Sequence, residues 1–355
     1  MASQASLLPA DHSEFRSKQY WNDFFVKRQA TTGAAGETVS TFEWYGEWSD
    51  VQEIVTAYVP LAASDAAAGD HTLVIGCGNS TTSEEMFAQG YRRVTSIDFS
   101  DIVIAEMREK TQGVVRAEAA AAAWLRFEKM DMLNMTFEAA HFNMVFDKGA
   151  LDALMSDETK RSAKDAAQLF KEIDRVSGPG GAYVCVTLAQ KHIMAALFRH
   201  FAAPGSGWTL HIHGYSTKIG SALCPFVFVA VRNAPVVAGS LLTSSIVTHF
   251  GDSTSTMFGG EGEVATMGQA IRRVIAMQQT HNFLGGPVKP GCCITLFLWP
   301  EHGKTSQAAA SPTGSGGHGA RFTVTVIDPE FDPEATGKLH PPNGTLSCGV
   351  FIVPR

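Results

Sequence analysis

A chain of 355 residues with 45% apolar side chains can build one large core or two ordinary ones. A net charge of −7 argues against a partner that is bound by neutralising phosphates, so no nucleic-acid role is expected. Six cysteines form no CxxC pair and sit mostly in apolar runs, which argues against a zinc site or a redox pair.

The opening MASQASLLPADHSEF has no basic segment followed by a long apolar one, so no signal peptide is read there, and a reducing, cytoplasmic setting is expected. No apolar stretch is long enough to span a bilayer, and no membrane partner is expected. Residues 1–14 are expected to be a flexible terminus. Two aromatic clusters follow, YWNDFF (20–25) and FEWYGEW (42–48). Most of these rings read as core, but Trp21, Phe25, Trp44 and Tyr45 could form a lid over a cationic ligand, because aromatic faces attract cations.

From Asp70 to Asn233 strand-like and helix-like patterns alternate. Strands are predicted at 71–77, 93–98, 125–131, 143–149, 182–189, 208–214 and 223–232. Helices are predicted at 80–89, 100–112 and 157–176, the last closed by Gly178-Pro179-Gly180. Such alternation implies a mostly parallel sheet covered on both faces. The last two strands are joined by a link too short for a helix, so they are expected to pair antiparallel at one edge. The alanine-rich run 117–124 reads as an insertion.

The first predicted strand ends in LVIGCGNS (73–80). Two glycines between a buried strand and a helix allow a sharp turn, or let a ligand approach backbone that carries no Cβ. Gly76 and Gly78 are therefore candidate ligand contacts at a helix N-terminus. Asp98 ends the second strand, where an acidic side chain can accept the hydroxyls of a ribose. A dinucleotide fingerprint would carry a third glycine, but Thr81 stands in its place, which favours S-adenosylmethionine over a nicotinamide cofactor. Asp131 and Met132 close the third strand, and Asp147 and Lys148 the fourth. Polar groups at successive strand ends converge on one crevice.

YW…FF, FEWYG, VIGCGNS, SIDFS, KMDM and VFDKGALDAL, in this order, resemble the amino-terminal half of the dual-domain methyltransferase-like family that methylates translation elongation factor 1-alpha, and the smaller lysine methyltransferases of the same factor. The resemblance covers about residues 15–233. It implies an α/β fold: a seven-stranded Rossmann-like class I methyltransferase sheet, with a small, incomplete C-terminal α+β extension. The domains are then 1–14, a flexible terminus; 15–234, the methyltransferase domain; and 235–355, a linker and partial second domain. RFTVTVIDP and GVFIVPR resemble that family's linker.

The resemblance implies S-adenosylmethionine contacts at Trp21, Phe25, Trp44, Gly76, Asp98, Phe99, Asp131, Met132 and Lys148, and methyl transfer to an amine of the elongation factor. It points first to the N-terminal α-amine; the alternatives are a lysine methyltransferase and a non-catalytic cofactor-binding module. Glu43 and Asp147 are the candidates to orient the amine or relay its proton. No Asn-Pro-Pro-aromatic motif follows the fourth strand, which argues against amide or nucleobase acceptors. His211 and His213 alternate along one strand and face the same side, but two ligands do not make a metal site, so none is expected.

Overall fold

The computed structural model describes residues 9, 11–33, 41–61, 71–91, 93–117, 124–214, 223–233, 245–249, 263–285, 293–298, 320–326 and 350–354. They fall into two compact units, Met1–Asn282 and Phe283–Arg355.

The first unit opens with a 3-10 turn at His12–Arg16. Helices α1 (Lys18–Gly33) and α2 (Trp48–Tyr58) follow. Just past the expected terminus 1–14, Arg16 makes ion pairs with Asp157, at 3.4 Å, and with Asp165. Strands β1 (His71–Ile75), β2 (Arg93–Asp98), β3 (Leu125–Lys129), β4 (Phe142–Lys148) and β5 (Ser177–Thr187) then alternate with helices. These are α3 (Thr82–Gln89), α4 (Asp101–Ala117), a short α5 (Ala150–Leu154) and α6 (Lys160–Val176). After β5 come α7 (Lys191–Phe201), β6 (Trp208–Gly214), β7 (Phe226–Arg232), β8 (Ile246–His249), β9 (Glu263–Ala265) and α8 (Met267–Gly285).

Among the described residues the sheet runs β3-β2-β1-β4-β5-β7-β6-β8-β9. The first five strands are parallel. β7 lies antiparallel to both β5 and β6, as their short link required. That hairpin is not an edge, however. β8 pairs parallel to β6 and β9 antiparallel to β8, so the sheet has nine strands instead of seven, and the boundary expected near 235 falls inside the first unit.

Alternation along the strands divides the core between the two faces of the sheet. Leu73 and Ile75 of β1 join the layer under α6 and α7, while Val74 joins the one that packs α2, α3 and α4. α6 shows why a polar sequence folds as a helix here. Thr159 caps it by accepting the Ser162 N–H, and Ala166, Leu169, Phe170, Ile173 and Val176 recur on one face and are buried. Each such large side chain contributes about 1.5–3 kcal/mol on burial. The Gly-Pro-Gly read as the helix stop lies instead within β5, which begins directly at Ser177.

The second unit carries strands β10 (Cys293–Leu298), β11 (Ala320–Val326) and β12 (Val350–Pro354) in one antiparallel sheet. Of the stretch 303–320, which reads in the sequence as a low-complexity loop, all but the last residue lies outside the described residues, as does most of the alanine-rich run (118–123).

Candidate functional site

Parallel register decides where the site lies. Ile75 of β1 pairs with Ile97 of β2 and stands level with Asp147 of β4. The residues just past these points therefore meet at one carboxyl edge. There, a cavity of about 1350 Å³ opens, lined by Gly76, Gly78, Asp98, Phe99, Asp131, Met132 and Lys148 among others.

Its floor is the two-glycine turn. Gly76 and Gly78 have φ of +57° and +51°, the left-handed region that side chains rarely adopt. They serve different ends. A Cβ on Gly76 would lie 2.6 Å from the Ala150 Cβ, so this glycine lets α5 pack close. A Cβ on Gly78 would meet only Phe25 Cζ, at 3.7 Å, so this position faces space. Gly78 N–H donates to Asp98 Oδ2 at 3.1 Å, and Ser100 N–H donates to Oδ1 at 2.9 Å. Asp98 is only 7% exposed. Burial pushes its carboxyl up to about 6, although the Ser100, Gly78 and Phe99 N–H groups work against the rise.

One wall is aromatic. Trp21, Phe25, Trp44 and Tyr45 all line the cavity, with Trp21 6.1 Å from both Phe25 and Trp44. Trp21 Nε1 donates to the Phe15 carbonyl at 2.6 Å, and Ser100 Oγ donates to Asn22 Oδ1 at 2.6 Å, so α1 is fixed to the turn after β2. Tyr45 has φ +63°, a strained value for a bulky residue.

Glu43 and Asp147 are not placed as expected. Glu43 is absent from the cavity lining. Its carboxylate accepts from Ser80 Oγ at 2.6 Å, Thr81 N at 2.7 Å and Thr81 Oγ1 at 3.0 Å, and it pairs with Lys148. Burial works to raise its pKa, but Lys148, Ser80 and Thr81 together hold it below the usual carboxylate range. Asp147 is fully buried and reaches no cavity wall. It accepts from Ala150 N at 2.9 Å, from Leu151 N and from Tyr183 Oη at 2.9 Å, and so fixes the start of α5. Burial raises its carboxyl to about 7.

The aspartate of DKGALDAL that lines the cavity is Asp152, which sequence reasoning passed over. Leu188 N–H donates to its Oδ1 at 3.0 Å, and burial raises it to about 6 against hydrogen bonds from Thr187, Leu188 and Tyr45. The second aspartate of DKGALDAL was the available signal. The mouth is formed by Arg16, Asp157, Glu158, Asp165, Lys191 and His192, also unforeseen.

A separate cluster joins α2 to β6 and β8. Tyr58 Oη lies 2.7 Å from His213 Nε2 and 3.1 Å from His249 Nε2, and His211 Nδ1 lies 3.1 Å from His249 Nε2. Among the described residues, no group of three or more His, Cys, Asp or Glu is arranged to hold a metal ion, and no helix is long and apolar enough to cross a membrane.

The methyltransferase domain family matches residues 73–185, the stretch from β1 through most of β5. The eEF1A lysine and N-terminal methyltransferase of Mus musculus is 32% identical over 252 residues, 69% of this chain and 32% of that protein. The bovine EEF1A lysine methyltransferase 4 is 32% identical over 216 residues, 59% of this chain and 74% of that protein. This chain belongs to the eEF1A methyltransferase family. The family is class I and S-adenosylmethionine-dependent, which removes the nicotinamide reading. This member spans about a third of the length of the first dual-activity relatives it matches. Among solved structures, the magnesium protoporphyrin IX methyltransferase of Synechocystis PCC 6803 is 16% identical, covering 63% of this chain and 99% of that one, with a TM-score of 0.41.

Proposed function

We propose that this chain transfers methyl groups from S-adenosylmethionine to a lysine ε-amine of translation elongation factor 1-alpha, in the cytoplasm where translation takes place. The observation that carries the reading is the Gly78–Asp98 contact: a carboxylate at the end of β2, bound to the backbone of a left-handed glycine turn, on the floor of a cavity. The residues fit the cofactor. Asp98 would hold the ribose hydroxyls, and the open space beside Gly78 would admit the chain near the sulfur. Asp131 and Met132 would border the adenine, and Trp21, Phe25, Trp44 and Phe99 would enclose the cation. Lys148 would act through the cavity wall that it fixes. At about 1350 Å³ the cavity exceeds the roughly 300–1,000 Å³ of an ordinary small-molecule pocket, which leaves room for an acceptor side chain.

The cofactor supplies an activated methyl carbon. The protein supplies alignment, which can be worth several kcal/mol, up to about 7–11 in favourable systems. Glu43 and Asp147 serve here as positioning residues, one holding the 41–46 loop and the other the start of α5.

Lysine is favoured over the N-terminal α-amine by coverage. The relative matched over 74% of its own length is named for lysine methylation, whereas the relatives named for both activities are matched over about a third of theirs. The test is incubation with the purified factor and labelled S-adenosylmethionine, followed by mass spectrometry. A methylated lysine is expected. A mark on the α-amine alone would transfer the reading to the N-terminus, and no mark despite cofactor binding would reduce the chain to a binding module.

A further inference from the structure

We propose that Asp152, held in place by Tyr45, is the group that receives the acceptor amine inside the cavity. The proposal rests on the amine-methylating function just argued.

Every other carboxylate near the cavity is occupied. Asp98 takes the Gly78 and Ser100 N–H groups, and Asp131 takes the Leu133 N–H at 2.9 Å. Asp147 and Glu43 are consumed by α5 and by the Lys148–Ser80–Thr81 cluster. At the mouth, Asp157 and Asp165 pair with Arg16, and Glu158 lies 3.5 Å from His192 Nδ1. Asp152 differs. Thr187, Leu188 and Tyr45 hydrogen-bond its carboxyl, Leu188 N–H at Oδ1, but the buried Oδ2 has no hydrogen-bond partner. A buried acceptor left unpaired carries a desolvation penalty, and a ligand that donates to it removes that penalty.

Tyr45 explains how the carboxylate is kept. The left-handed φ of +63° costs energy that surrounding structure must sustain. The loop is clamped on one side of Tyr45 by Glu43, and on the other by Gly46, whose carbonyl accepts from Lys148 Nζ at 2.9 Å. The ring then lies over the start of α5: a Cβ on Gly149 would come within 3.1 Å of Tyr45 Cε2. From there the phenol hydrogen-bonds Asp152. A strained backbone between two clamps, with its side chain on a carboxylate whose second oxygen is buried and unpaired, is the arrangement expected of a binding site.

The acceptor arrives as an ammonium and gives up one proton to water at the mouth. The neutral amine donates an N–H to Asp152 Oδ2, which turns its lone pair away from the carboxylate. The nitrogen–carbon bond forms as the carbon–sulfur bond breaks, and the breaking bond's pair stays on sulfur. The new ammonium loses a proton before any second transfer. Each cycle consumes one amine and one sulfonium and yields one methylamine, one thioether and one proton.

The test uses the full chain as Asp152→Asn and Tyr45→Phe. Calorimetry with S-adenosylhomocysteine is expected to show affinity within about twofold of wild type for both. Turnover on the elongation factor is expected to fall about 100-fold or more in Asp152→Asn, mostly in kcat, and less in Tyr45→Phe. Wild-type turnover is expected to drop additionally below about pH 6, where Asp152 takes a proton, and the Asn variant to lack that step. With S-adenosylhomocysteine bound, saturation-transfer NMR is expected to detect n-butylamine on the wild type and not on Asp152→Asn. Turnover within about fivefold of wild type, or equal n-butylamine binding, overturns the assignment. If the wild type marks no residue of the factor yet binds n-butylamine through Asp152, the substrate reading falls and the amine site stands.

Discussion

Lys148 and Glu43, 105 positions apart, form an ion pair in which the side chains are only 7% and 17% exposed. The pair ties the end of β4 to the 41–46 loop, and with it Trp44 and Tyr45 to the cavity. The residues expected in cofactor contact and in catalysis are thus paired with each other, with Lys148 also lining the cavity.

Breaking that clamp should be costly. Lys148→Met leaves a half-buried carboxylate with only hydroxyl and amide donors, and should destabilise the protein by roughly 2–4 kcal/mol in urea denaturation. Glu43 has a folded pKa below its unfolded value, so its contribution is complete above about pH 4.5 and is lost as pH falls through the folded value. The variant should therefore lose less stability than wild type on acidification. Equal acid sensitivity would show that Lys148 is not what holds Glu43 ionised.

The two glycines should separate. Gly76→Ala combines a left-handed φ with a 2.6 Å clash against Ala150, and should cost about 2–4 kcal/mol in thermal or urea unfolding. Gly78→Ala meets space, should cost roughly 1 kcal/mol, and should instead weaken S-adenosylhomocysteine binding in calorimetry. Equal stability losses would contradict the division of roles.

Asp98→Asn should weaken S-adenosylhomocysteine binding by roughly 1.5–3 kcal/mol, the range for a hydrogen bond to a charged group. Its effect on stability should have a definite sign. The folded carboxyl lies near 6, above its unfolded 3.8, so its contribution is present below about pH 4 and is lost as pH rises through 6. Removing the charge removes that slope, so the variant should gain stability relative to wild type between pH 4 and 7. Unchanged affinity would remove the cofactor assignment.

The histidine cluster should act in the opposite direction. Burial, aided by the neighbouring imidazoles, pushes His211 down to about 4 and His213 to about 3. Both folded values lie below the unfolded 6.5, so the stability of the neutral cluster is full above pH 6.5 and declines as pH falls toward 4, by up to roughly 1.4 kcal/mol per unit for each ring. His213→Gln should be less stable than wild type at pH 7.5 by about 1 kcal/mol, and the gap should narrow or reverse by pH 4.5. A gap that does not change with pH would show that His213 is not buried in its neutral form.

How much of this was legible depended on whether the information was local. The parallel strands were readable because each is a short apolar run closed by a polar residue, and the position of Asp98 at the end of β2 was legible in the same way. The same-side reading of His211 and His213 held, since both rings meet Tyr58 and His249. β8 and β9 were missed because four and three residues are too few to display a period, and their surroundings are rich in Gly, Ser and Thr. Which aspartate of DKGALDAL faces the cavity could not be read either. It depends on Asp147 standing level with Ile75 and Cys185 and pointing at Tyr183, a matter of sheet register. The left-handed Tyr45 leaves no sequence mark at all, because tertiary clamps impose it.

The added strands β8 and β9 bear on how this molecule can be cut. β6 is flanked by β7 on one side and β8 on the other, so a fragment stopped after Arg232 would leave a row of bare amides and carbonyls beside Leu210 and Ile212. An open strand of that kind recruits strands from other molecules. Such a fragment would pass for a finished catalytic core by sequence and yet carry a seam that invites polymerisation.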